Sequence, residues 1–127
     1  MDRWITEDDR SLLELSLASD QYHQTTKADF YFKTGTFTKC YEDEQGPVLF
    51  IRGAKSLRVD IQFLNNYDYE RNRKMLIDNF ASFVNQCKSA GFQELVFNTT
   101  NPLLRRFCKQ SLKFEDVEGN ELRYFIE

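Results

Sequence analysis

The densest run of potential chemistry lies between residues 65 and 74, where Asn65-Asn66-Tyr67-Asp68 is followed by Tyr69-Glu70-Arg71-Asn72-Arg73-Lys74. Apolar spacing downstream makes this the first turn of a helix, where aligned peptide dipoles amount to roughly half a positive charge. Arg71, Arg73 and Lys74 oppose that dipole, at a cost of about 0.3–1 kcal/mol each. Two readings account for them: an anion held at the helix start, or a solvated face balanced by Asp68 and Glu70. A second polar set, Arg58, Asp60 and Gln62, alternates with Leu57, Val59, Ile61 and Phe63. It reads as an exposed strand face or as an ion pair of Asp60 with Arg58 or Arg52. Glu42-Asp43-Glu44 sits beside a turn and reads as solvated, and His23, the sole histidine, as a surface or satisfied side chain. Cys40, Cys87 and Cys108 are odd in number and lack CxxC spacing, which speaks against a disulfide framework and a zinc site.

Composition bounds what these residues can belong to. A chain of 127 residues is one domain long, and an aromatic content of 15%, with 12 Phe, suits a packed core rather than a disordered tail. The net charge of −3 removes the broad positive field that nonspecific nucleic-acid binding needs, so an anion has to be met locally. A basic patch of Arg71, Arg73, Lys74, Arg105 and Arg106 is the nucleic-acid alternative, and the acidic total weighs against it. No apolar run approaches the roughly 20 residues of a membrane span, and Met1-Asp2-Arg3-Trp4 leads straight into acidic residues. The expectation is a cytoplasmic protein without a membrane partner.

The elements that must position these groups follow from periodicity and punctuation. Trp4-Ile5-Thr6 reads as a short strand, and Thr6-x-x-Asp9 as a capping box before a helix with Leu12, Leu13, Leu15 and Leu17 that ends near Asp20. From Gln21 to Gly35, a stretch with Thr25, Thr26 and Asp29, no period persists, and a short helix or a loop fits. Phe37 to Glu42 and Val48 to Arg52 form a hairpin about Glu44-Gln45-Gly46-Pro47. Leu57 to Leu64 alternates and is expected to add the third strand of an antiparallel meander. A long helix follows with Leu76, Phe80, Phe83, Val84 and Cys87 on one stripe, and Gly91 stops it. Phe92 to Phe97 reads as a buried strand, Asn101-Pro102 as a cap and first helical position, and the next helix carries Leu103, Leu104, Phe107 and Cys108. Phe114 to Val117, a Gly119-Asn120 turn and Leu122 to Ile126 close the chain as a hairpin, whose exposed edge would allow pairing with a second copy. The expected class is α/β with a mixed α+β sheet in a single domain, 1–127.

This order of elements resembles the GNAT superfamily of acetyl-CoA-dependent N-acyltransferases over most of the chain. The opening Ile5-Thr6-Glu7-Asp8 looks like the family's usual beginning, and Asn101-Pro102-Leu103-Leu104-Arg105-Arg106-Phe107-Cys108-Lys109 with Lys113-Phe114 looks like its Asn-to-Gly-Phe ending. The resemblance implies acetyl-CoA or another acyl-CoA as cofactor, and direct attack of a small-molecule or peptide amine on the thioester, with a base for the amine's proton and an acid for the thiolate. It implies a cofactor site at Phe63, Leu64, Asn65, Arg71, Asn72, Arg73 and Lys74, with Asn101, where the pyrophosphate meets the start of the long helix. Asp60 becomes the expected base, and Cys108, standing where the family has a tyrosine, the acid, with Tyr124 as the substitute phenol. In this setting Glu42-Asp43-Glu44 and His23 acquire a second reading on the amine-substrate side. The family's phosphate turn has closely spaced glycines that let bare backbone approach the anion, and this chain has none between Asn65 and Lys74. The same chain therefore also fits a GNAT-fold binding or structural module without catalysis.

Overall fold

The structure is a computed structural model and describes residues 1–127 apart from Gln24, Thr25 and Thr34, so the expectation at Thr25 lies outside the described residues. The fold is mixed α/β with two sheets. The elements run β1 (Asp2–Trp4), α1 (Arg10–Ser19), β2 (Phe37–Asp43), β3 (Gly46–Gly53), β4 (Ser56–Arg58), α2 (Tyr69–Ser89), β5 (Glu94–Asn98), α3 (Pro102–Ser111), β6 (Glu115–Glu118) and β7 (Glu121–Phe125), with 3₁₀ turns at Glu7–Asp9 and Ala28–Phe32. They fall into two compact units, Met1–Lys55 and Ser56–Glu127.

In the first unit, three antiparallel strands lie in the order β1-β2-β3. The hairpin of β2 and β3 turns as expected, at Gly46 with φ 113°, a conformation that glycine adopts without a steric penalty. Leu13 and Leu17 of α1 and Ala28 form a buried core, with Ile5, Tyr31, Phe32 and Phe50 packed on it. The register puts Trp4, Lys39 and Ile51 side by side, so Trp4, Phe37, Tyr41, Leu49 and Ile51 share one sheet face, and all five are exposed. The ring of Phe37 lies over Gly53, its partner across the ladder, in the space a Cβ would take. Leu12 and Leu15, two of the four leucines expected in α1, face solvent.

In the second unit the order is β4-β5-β7-β6, with β4 and β5 parallel and the other pairs antiparallel. A parallel pair needs a crossover, and α2 supplies it. Val84 and Cys87 of α2, Cys108 of α3, Leu95 and Phe97 of β5, and Leu122 of β7 share one core with Leu112, Phe114 and Ile126. Leu57, Val59, Ile61, Leu76 and Phe80 pack against it, whereas Phe83 is 41% exposed and leaves the expected stripe. The long helix ends in paired hydrogen bonds, Gly91 N–H to the Lys88 carbonyl (2.9 Å) and Phe92 N–H to the Cys87 carbonyl (3.1 Å), with Gly91 at φ 89°. Just past α3 lies Lys113 with φ 67°, the one non-glycine residue at positive φ among those described.

The expected strand Leu57 to Leu64 requires correction. Only Ser56–Arg58 is strand, and it pairs with β5 rather than completing a meander with β2 and β3, whose sheet is completed by β1. The alternation itself persists, since Leu57, Val59, Ile61 and Phe63 are half-buried while Arg58, Asp60, Gln62 and Leu64 are exposed. Period two reports which way side chains face. A ladder needs a neighbouring strand as well.

Candidate functional site

The candidate site lies where β4 leaves β5. Their parallel register runs Ser56↔Glu94, Leu57↔Leu95, Arg58↔Val96, and the Val59 N–H donates to the Val96 carbonyl at 2.9 Å. From Asp60 onward no backbone bond joins the two chains among the described residues, while β5 continues against β7 through Asn98↔Glu121. The strands part at this point. The backbone from Asp60 to Leu64 thus has no strand partner and runs directly toward the start of α2.

The junction closes on itself with side chains in place of glycines. Asn65 Oδ1 accepts from the Tyr67 N–H at 3.0 Å, and Asn72 Nδ2 donates to the Asn65 carbonyl at 2.9 Å. The Asp68 carboxylate caps α2 by accepting from the Arg71 N–H at 3.4 Å, which puts a negative charge of the chain's own at the dipole's positive end. Arg71 and Arg73 are exposed and make no ion pair among the described residues, and Lys74 pairs with Asp78 at 2.9 Å. Phe63 is half-buried and Leu64 fully exposed. Asn101 caps α3, its Oδ1 accepting from the Leu103 and Leu104 N–H groups at 3.0 and 3.4 Å, which leaves its side-chain NH₂ to offer a ligand.

The three expected proton-transfer residues are not brought together. Asp60 is exposed, 3.7 Å from Arg58 Nε, on the polar side of the chain leaving β4. Cys108 is fully buried in the core, and burial pushes its thiol up to about 11. Tyr124 stands opposite Leu95 on the apolar side, with its ring edge-on to Phe80 at 5.0 Å and beside Phe114 at 5.7 Å. Of the basic residues on α3, Arg105 is engaged by Asp116, which Lys109 also meets. His23 lies 2.9 Å from Asp20 in a local pair, and Asp43 accepts from the Gln45 N–H at 2.9 Å within its own turn.

The Thr6-x-x-Asp9 capping box is present as expected, whereas the burial of Asp9 against Arg3, and Glu94 altogether, escaped the sequence reading. Asp9 in the first unit is gripped by both terminal nitrogens of Arg3, at 2.7 and 2.8 Å, and accepts from the Thr6 N–H at 2.8 Å. Glu94 in the second is fully buried at the start of β5, where it accepts from Ser56 and Arg123. The Thr6-x-x-Asp9 spacing was a visible signal for part of the first. For the second, the only trace was a charge inside the apolar run Phe92 to Phe97. Among the described residues no group of His, Cys, Asp or Glu could hold a metal ion, and no helix is long and apolar enough to cross a membrane.

No protein-family model matches the chain, and no curated protein sequence matches it.

Proposed function

We propose that the chain is a GNAT-like N-acyltransferase that takes acetyl-CoA or another acyl-CoA along the segment where β4 and β5 part, and passes the acyl group to an amine by direct attack. The observation that carries this reading is the backbone from Asp60 to Leu64, which among the described residues has no strand partner, only the Gln62 Nε2 bond to the Phe63 carbonyl at 3.1 Å, and which leads into the first turn of α2. N–H and C=O groups outside any ladder suit a ligand that carries amides, as the arm of coenzyme A does. The left-handed backbone of Lys113 supports the same reading, because it occurs where the family's ending has glycine. Bound acyl-CoA would supply the activated thioester.

The remaining roles fall to the chain's own residues. Arg71 and Arg73, exposed and without ion pairs among the described residues, would neutralise the cofactor's phosphates. Asp60 receives the amine's proton. Of the two candidate acids Tyr124 keeps part of its surface and Cys108 none, but Tyr124 packs on the apolar side away from Asp60, so the geometry assigns the base and leaves the thiolate's proton to solvent.

Calorimetry with acetyl-CoA on the wild-type chain and on Arg71→Ala with Arg73→Ala tests the binding step, and absence of binding at millimolar cofactor removes the reading. Acetylation of a polyamine and peptide panel then tests Asp60→Asn, and full activity of that variant rejects Asp60 as base. A second reading, a GNAT-fold binding module without catalysis, is favoured by the glycine-free junction that Asn65 and Asp68 close and by the burial of Cys108. It predicts that no amine on the panel is acetylated even when cofactor binds.

A further inference from the structure

Glu94 is fully buried, and its Oε1 accepts from Ser56 Oγ at 2.5 Å and from an Arg123 terminal nitrogen. The register accounts for the cluster. Ser56 lies directly opposite Glu94 on β4, and Arg123 lies opposite Val96 on β7, so all three side chains share the sheet face that the apolar core does not use. Arg123 is also held by Glu121, its Nε 2.8 Å from a carboxylate oxygen.

Burying a charged cluster is expensive, and an apolar trio of the same shape would stabilise the sheet at least as well. What such a cluster contributes is a choice among alternatives. β4 has three residues and, among the described residues, β5 as its one neighbour, in a parallel pairing that is slightly weaker per residue than an antiparallel one. A slide of β4 by two residues would keep Val59 and Ile61 on the apolar face, so the hydrophobic pattern alone does not forbid it. That slide would bring Arg58 opposite Glu94, crowding a second guanidinium onto a carboxylate that Arg123 already holds, and would move the parting point two residues along the chain. The Ser56 hydroxyl fits the observed register without adding charge.

We propose that Ser56, Glu94 and Arg123 form a latch that sets the register of β4 on β5, and thereby the point at Val59 where the two strands part. These are positioning residues, and their bearing on acyl-CoA rests on the function proposed above. The latch fixes which backbone groups between Asp60 and Leu64 are left open to the ligand.

Amide hydrogen exchange on the full chain tests the latch without any ligand. In Ser56→Ala the Val59 N–H, bonded to Val96, should exchange about tenfold faster while the β7 amides and the denaturant midpoint stay near wild type. Ser56→Thr, which restores the hydroxyl, should restore the protection. Unchanged Val59 exchange in Ser56→Ala overturns the latch, and this substitution is small enough to judge it even if Glu94→Gln fails to fold. An acetyl-CoA titration separates the two claims. If the wild type binds and Ser56→Ala binds several-fold more weakly, the latch positions the cleft, whereas equal affinity overturns that role. If the wild type does not bind, the proposed function falls and the exchange result alone decides the latch.

Discussion

Asp9 and Glu94 are both carboxylates buried against an arginine, one in each unit, and they differ in what the pairing joins. Asp9 lies six residues from Arg3 and three from Thr6, so its clamp closes a short loop at the first strand, and Arg3 extends it to Glu42 of β2 at 3.4 Å. Glu94 is separated from Ser56 by 38 residues and from Arg123 by 29. Its latch needs three strands in place before all of its bonds can form, and the entropy of closing those longer loops has to be met first. The local clamp is thus legible as a capping pattern. The long-range latch reports topology.

The largest effect should come from breaking the latch outright. Glu94→Ala removes the fully buried carboxylate from Arg123 while leaving its pair with Glu121, and should cost the second unit about 3 kcal/mol, read as increased exchange of the β5 amides. A loss below roughly 1 kcal/mol would mean that the buried charge is incidental.

Asp9→Ala should cost the first unit about 2 kcal/mol, through lost hydrogen bonds to a charged acceptor, as followed by the fluorescence of Trp4, the only tryptophan. Hydrogen bonds from Arg3 hold the Asp9 carboxyl down to about 2 against burial, below its unfolded value near 3.9. A depressed folded pKa contributes stability that is present above the unfolded value and is lost as pH falls through the folded one. The wild-type first unit should therefore weaken between about pH 5 and 2, and Asp9→Asn should flatten that part of the profile. An equally steep profile in the variant would assign the acid sensitivity to other carboxylates.

Two smaller changes sharpen the scale. Lys113→Gly should stabilise the second unit by about 1 kcal/mol, because lysine bears a steric penalty at φ 67° that glycine does not, although loss of the Lys113 Nζ bond to the Gln110 carbonyl offsets part of it. A destabilised variant in thermal melts would contradict that assignment. Lys74→Ala removes an exposed pair with Asp78 four residues on, and should shift stability by at most about 0.5 kcal/mol. It supplies the surface baseline against which the two buried carboxylates are measured.

Much of the local structure was legible before any coordinates. Gly91 ends α2, Asn101 and Pro102 begin α3, and the Glu44–Gly46 turn closes the β2–β3 hairpin, because each depends on a residue's own backbone preference or on a hydrogen bond within a few positions. Leu57 to Leu64 shows the limit. Its alternation was read correctly as facing, while its partner and the length of its ladder were not, since both depend on β5 from nearly forty residues away. Phe83, Leu12 and Leu15 were apolar at plausible helical positions and are exposed, because a stripe is decided by what lies opposite it.

The candidate site divides in the same way. The charged, glycine-free start of α2 and the capping role of Asn101 can be read from neighbouring residues, as helix-end chemistry is local. That Cys108 is sealed in the core, that Asp60 and Tyr124 face opposite ways, and that Glu94 meets Ser56 and Arg123 became known only from the assembled strands. Backbone preference and period act over a turn or a strand, whereas burial and register are set by segments distant in the chain. No pattern within one segment encodes its partner.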